Sequence, residues 1–157
     1  MKSLVKTLTS VSVMSVFGLG LMAASSVHAA EPENYIKYRQ AIMKAIAGHS
    51  GSSGQILRGL VDAQPGELAF HADALARLNA DLVRLFPEGS DFGETEALPK
   101  IWEDPAGFAQ KAKDAADATA NFAKAAQGGD AASMATAYKA VGESCKGCHQ
   151  NFRERKR

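Results

Sequence analysis

Close to the C-terminus of this chain stand Cys145, Lys146, Gly147, Cys148 and His149: two thiols three residues apart, followed at once by an imidazole. On a helix, residues three and four apart share a face. Thiols at i and i+3 can therefore add to the two vinyl groups of one porphyrin while the imidazole at i+4 reaches its iron. This is the C-x-x-C-H pattern of c-type haem attachment. Three other uses of the pair fit less well. A redox C-x-x-C normally opens a helix after a strand, where the helix N-terminus lowers the thiol pKa; this one closes a helical stretch. A structural zinc site wants four ligands, usually in two clusters, and no second cluster is present. A disulfide between i and i+3 on a helix is geometrically awkward. The expectation is one haem c, attached through Cys145 and Cys148, with His149 as its proximal ligand.

The elements that must position this motif are helical. No segment after residue 30 alternates apolar and polar residues, β-branched residues are sparse, and alanine is abundant from Ala106 onward. A first helix is expected from Pro32 to about Leu60, with Ile36, Arg39 or Gln40, Met43, and Ile46 or Ala47 on one face and a kink or irregular turn in the glycine- and serine-rich stretch 48–54. In the second, Leu68, His71, Leu75, Leu78, Leu82 and Leu85 step by three and four, and the helix should end before Phe86 and Pro87. The third starts at the Asp104 cap with Pro105 in its first position and carries Phe108, Ala112, Ala115, Thr119, Phe122 and Ala126. Gly128 and Gly129 close it, Asp130 caps the fourth, and Met134, Tyr138, Val141, Cys145, Cys148 and Phe152 form the last buried stripe. Four such stripes predict an all-α fold, an antiparallel up-down-up-down four-helix bundle with haem bound covalently near the C-terminus. Residues 86–103, with Pro87, Gly89, Gly93 and Pro99, should form an irregular crossover pinned by Trp102, a packing rather than a functional residue.

The first thirty of the 157 residues read as an address. Lys2 and Lys6 precede an apolar stretch from Val11 to Ala24, shorter than the roughly 20 residues a membrane span needs. Small residues follow, with Val27 and Ala29 as the cleavage pair. This is the pattern of a secretory signal peptide over 1–29, cut after Ala29 or Ala30 and leaving 30–157 as one bundle domain with no membrane insertion. Export points to the periplasm, where thiols are oxidised or covalently used. The whole chain has 18 basic and 17 acidic side chains; without Lys2 and Lys6 the mature chain is nearly neutral, with no long run of one sign. Nucleic acid is therefore not an expected partner. No Ser/His/Asp set, phosphate loop or pair of carboxylates suggests a hydrolase or phosphotransferase, so the protein is not expected to be an enzyme.

Tyr38 to Met43, Leu98 to Trp102, and Val141 through His149 to Arg153 resemble the corresponding segments of the class II c-type cytochromes, cytochrome c prime and its low-spin relatives of the cytochrome c-556 type. The resemblance spans the whole mature chain, and a haem motif at the C-terminus rather than near the N-terminus is a specific sign of it. It implies a bacterial periplasmic haem protein that carries single electrons, binds small gases at its iron, or does both. It also implies a first-helix residue over the distal haem face, matched here by Met43. Read as the sixth ligand, Met43 gives a low-spin His149/Met43 iron suited to electron transfer between redox partner proteins, and this is the leading expectation. The alternative leaves the iron five-coordinate, with Met43 as a flexible core filler and nitric oxide or carbon monoxide as the ligand.

By the same resemblance Arg39 and Gln40 lie near the haem edge and its propionates, where an arginine gives charge-assisted hydrogen bonds; a solvated surface arginine is the other reading. Glu96 falls near a further haem-contact position. Arg153, one turn after His149, stands near the imidazole or belongs to a solvated basic tail that docks an acidic redox partner. Homodimers through the first two helices are implied as well. His49 reads as a surface residue and His71 as a buried or boundary one. Protein exported with competent haem-maturation machinery should be coloured and heavier than the leaderless polypeptide by one haem. Colourless material with the bare polypeptide mass would overturn the motif's reading.

Overall fold

The structure, a computed structural model, describes residues 31–154. The expected signal peptide and residues 155–157 lie outside the described residues. Five α-helices follow in order: α1 (Pro32–Leu57), α2 (Glu67–Asn79), the short α3 (Lys100–Glu103), α4 (Pro105–Gly128) and α5 (Ala131–Phe152), with a 3-10 turn at Val83–Leu85. There is no strand among the described residues beyond an isolated bridge between Ala97 and Arg153. The four longer helices make the four-helix bundle that their stripes predict. Helix α2 packs on α1 and α4, and α4 on α5, whereas α1 and α5 meet over a short stretch only.

Local chemistry explains most of the boundaries. Pro32 opens α1, where its missing N–H has no helical partner to lose. Asp104 accepts a hydrogen bond from Gly107 N (2.9 Å) and Asp130 one from Ser133 N (2.7 Å), so both predicted caps form. Gly129 closes α4 at φ 76°, a left-handed conformation that glycine adopts without a Cβ clash. The α4 stripe is buried as its spacing implies, from Phe108 through Ala112, Ala115 and Thr119 to Phe122.

Two expectations about α1 and α2 need correction. The first helix runs unbroken through residues 48–54 and stops at Leu57, short of Leu60. Tertiary packing overrides the poor helix propensity of its glycines and serines: Ser53 is fully buried, and a Cβ at Gly54 would stand 2.6 Å from Tyr138 Oη. The small residues let α5 approach α1 closely, and Tyr138 Oη donates to Ser50 O at 2.8 Å. The second α-helix ends at Asn79, not at Leu85. Asn79 is buried and turns its side-chain amide onto Leu75 O (2.8 Å), after which Leu82 and Leu85 reach the core through the 3-10 turn.

The main core joins Ile46, Ala72, Leu75, Leu82, Leu85, Ala112, Phe122, Ala123 and Val141, drawn from all four long helices. A second, smaller cluster of Ile101, Phe108 and Phe152 joins the crossover to the ends of α4 and α5. Phe122 has no exposed surface. Phe122→Ala should therefore cost about 3–5 kcal/mol, a large part of the roughly 5–15 kcal/mol that holds a domain of this size, measured by urea denaturation of the haem-loaded protein.

Candidate haem site

The site is built on the last three turns of α5. Along its inner stripe Val141 is 1% exposed and Phe152 is 5% exposed, but Cys145, Cys148 and His149 between them remain half-buried. The helices thus leave the motif's stretch of this stripe partly open, between two fully buried residues. Cys145 packs at the edge of the main core and Cys148 at the edge of the second cluster, so the two thiols straddle the junction of the two apolar bodies. Both cysteines are free. Burial pushes both thiols above their ordinary range, and at Cys148 the neighbouring Cys145 adds to the rise. Thiols kept protonated in this way are poor redox nucleophiles. A flat apolar group joined to both sulfurs would complete the burial that the polypeptide leaves unfinished, so the residues present fit a haem c.

His149 sits one residue beyond Cys148 and shares this half-buried face. Burial holds it below the ordinary histidine range, Arg153 lowers it further, and Glu96 acts in the opposite sense. The imidazole is thereby kept neutral, the form that ligates iron. Arg153 Nε donates to Glu96 Oε2 at 2.9 Å. The basic residue after the motif is therefore fixed beside the imidazole, and Glu96 is brought to the same end of α5. Two backbone hydrogen bonds, Leu98 N to Phe152 O (3.0 Å) and Glu154 N to Glu96 O (2.8 Å), tie the crossover to the end of this helix.

The antiparallel register brings Met43 to the same level. Ser50 on α1 meets Tyr138 on α5, and counting seven residues back along α1 and seven forward along α5 reaches Met43 and Cys145, each about 10 Å farther on. Both side chains pack against the main core. By the same count Arg39 lies at the level of His149. Arg39 is 3% exposed, which excludes a solvated surface arginine. Its Nη1 donates to Ser90 Oγ (2.8 Å) and its Nη2 to Ser90 O and Thr95 Oγ1 (both 2.7 Å). Its guanidinium lies over Phe86, 4.8 Å from the ring centroid, and 5.9 Å from that of Trp102. In this structure the fork expected at the haem propionates clamps the crossover. Gln40 does the same from the surface, Nε2 donating to Glu94 O at 2.6 Å. Trp102 pins the segment as its composition predicts, Nε1 donating to Pro87 O at 3.1 Å.

Sequence reasoning missed Ser90 and Thr95 as the partners of Arg39. Both are in an irregular segment with no periodicity, and no pattern in the chain ties them to a residue more than fifty positions earlier.

The profile of the cytochrome c′ family matches residues 34–153. The chain belongs to this family. Among its cytochrome c′ relatives, the protein of Pararhodospirillum photometricum is 39% identical over 126 residues, covering 80% of this chain and all of its own. The solved cytochrome c prime of Shewanella frigidimarina is 37% identical, with a TM-score of 0.76 over 81% of this chain and 99% of that one. A nitric oxide complex of a leucine-to-alanine variant of cytochrome c prime from Alcaligenes xylosoxidans is 32% identical, with a TM-score of 0.75 over 82% and 99% of the two chains. The protein is a c-type haem protein that carries one haem c near its C-terminus. The leading expectation of a low-spin iron with Met43 as sixth ligand finds no support among these cytochromes c′. The five-coordinate alternative agrees better with them.

Arg39→Leu should leave the Ser90 and Thr95 acceptors without their donors and cost about 3 kcal/mol in urea denaturation. It should also speed proteolytic cleavage within residues 88–97. Arg39→Lys should not restore resistance, because a single ammonium cannot hold both acceptors through a planar fork.

Proposed function

We propose that this chain is an exported, periplasmic protein that binds nitric oxide or carbon monoxide at a haem iron held by His149 on one side and left open on the other. The observation that carries this reading is the half-open stretch of α5 at Cys145, Cys148 and His149, level with a Met43 that packs against the main core. Bound there, a haem c supplies an iron that changes oxidation state by one electron and accepts a small diatomic ligand at a free coordination position. Cys145 and Cys148 hold the porphyrin through their sulfurs, and His149, kept neutral by burial and by Arg153, ligates the metal.

Met43 acts in this reading as an apolar wall. A flexible thioether side chain already engaged with the core fills the distal space and limits the size of what enters, which favours diatomic molecules over larger ligands. Arg39 and Gln40 act at one remove by fixing the crossover beside α1, so that Glu96 and Arg153 keep their place beside His149. Single-electron exchange with redox partner proteins serves to set the iron's oxidation state.

Carbon monoxide added to the reduced protein should change its absorption spectrum rapidly, and Met43→Ala should speed association by roughly tenfold, as relief of about 1.4 kcal/mol of crowding would give. Resistance to carbon monoxide, together with a sulfur-to-iron charge-transfer band in the near infrared of the oxidised protein, would instead make Met43 a ligand and the protein a low-spin carrier.

A further inference from the structure

A second pair of imidazoles meets away from the haem motif. His49, on α1, and His71, on α2, place their Nδ1 atoms 2.8 Å apart, with ring centroids separated by 5.1 Å and ring planes inclined at 58°. Both residues are half-buried, so packing fixes them from one side while solutes reach them from the other. Phe70 stands edge-on to both rings, at 5.8 Å from His49 and 5.3 Å from His71. Behind His49, the buried Ser53 donates its hydroxyl to the His49 carbonyl at 2.9 Å. The function described above uses neither histidine.

Two nitrogens bound to one ion at about 2.0–2.1 Å, with an angle near 90–110° between them, stand about 2.8–3.4 Å apart. The observed separation lies at the short end of that bite. The geometry points to a metal site in which His49 Nδ1 and His71 Nδ1 together bind one first-row divalent transition ion, copper(II) most tightly, across the seam between α1 and α2.

In an N–H···N contact the accepting nitrogen of the pair already offers a lone pair. The other is freed when its ring changes tautomer and carries its proton on Nε2. The ion then sits to one side of the line between the two nitrogens, and small rotations of the rings aim both lone pairs at it. Imidazole donors suit copper, nickel and zinc, and affinity along the series peaks at copper(II). Among the described residues no group of three or more His, Cys, Asp or Glu side chains is gathered as a metal site, so solvent completes the coordination and positions stay open on the ion. Because the two donors come from different helices, such an ion binds the folded chain and staples α1 to α2.

Copper(II) titrated into the haem-loaded protein, in a non-coordinating buffer, tests the site. His149 is engaged by iron in that form, which leaves His49 and His71 as the free imidazoles of the mature chain. The expected result is one equivalent bound, an electron paramagnetic resonance signal split by two nitrogens, and a rise in melting temperature. His49→Gln and His71→Gln should each weaken binding by about tenfold or more and leave at most one imidazole nitrogen in the splitting, with the haem absorption spectrum unchanged as proof that both variants fold. No binding by the parent protein, or a loss smaller than tenfold in either variant, overturns the assignment.

Discussion

The whole arrangement depends on one helical face staying intact through its final turn. Cys145, Cys148 and His149 act on one porphyrin only if residues i, i+3 and i+4 remain on the same side of α5, yet the last turn of a helix is where four carbonyls lose their partners and the chain frays. Here that end is held from several directions. Phe152 is buried against Ile101 and Phe108, its carbonyl accepts from Leu98, and Arg153 is paired with Glu96. The exposed ion pair adds little stability by itself. Its value is positional, because it fixes one cation and one anion beside the imidazole.

The crossover that supplies these restraints is itself irregular, and an irregular segment of this length needs its own anchors. Arg39 provides the strongest. Burial of its guanidinium disfavours the charged form, and the nearby Asp91 carboxylate works against that effect. Three hydrogen bonds and two aromatic faces offset the loss of water around the charge. A path of direct contacts therefore runs from Arg39 on α1, through Ser90 and Thr95, to Glu96 and Arg153 beside His149. The family to which the chain belongs uses one fold for iron chemistry, and in this member the connection between the second and third long helices is part of the site's framework.

Much of this was legible in the sequence because it follows short-range rules. Spacings of three and four gave the stripes of α4 and α5, and Asp104, Gly129 and Asp130 marked their ends through backbone groups that need partners. The C-x-x-C-H motif was legible for the same reason, being a one-helix device. What sequence could not reveal is long-range. Gly54 and Ser53 read as helix breakers until Tyr138 is seen against them, and the leucine spacing gives no sign that α2 stops at Asn79, whose amide turns onto Leu75 O. Arg39 was expected at the haem propionates, and the groups its fork holds instead lie in a loop whose conformation no periodicity encodes. His49 and His71 were read singly, as surface and boundary residues, because nothing in a linear pattern shows that two separate helices align them face to face.

The close approach at Gly54 gives the bundle the mechanics of a clothes-peg. Where Tyr138 rests on the bare backbone of α1 and reaches Ser50 O, the two jaws are pinched shut, and seven residues farther along each arm they face one another across Met43 and Cys145. The gape at the working end is thus governed by a fulcrum that touches neither sulfur nor imidazole. Any bulk gained at Gly54 would meet the Tyr138 hydroxyl and push the two arms apart.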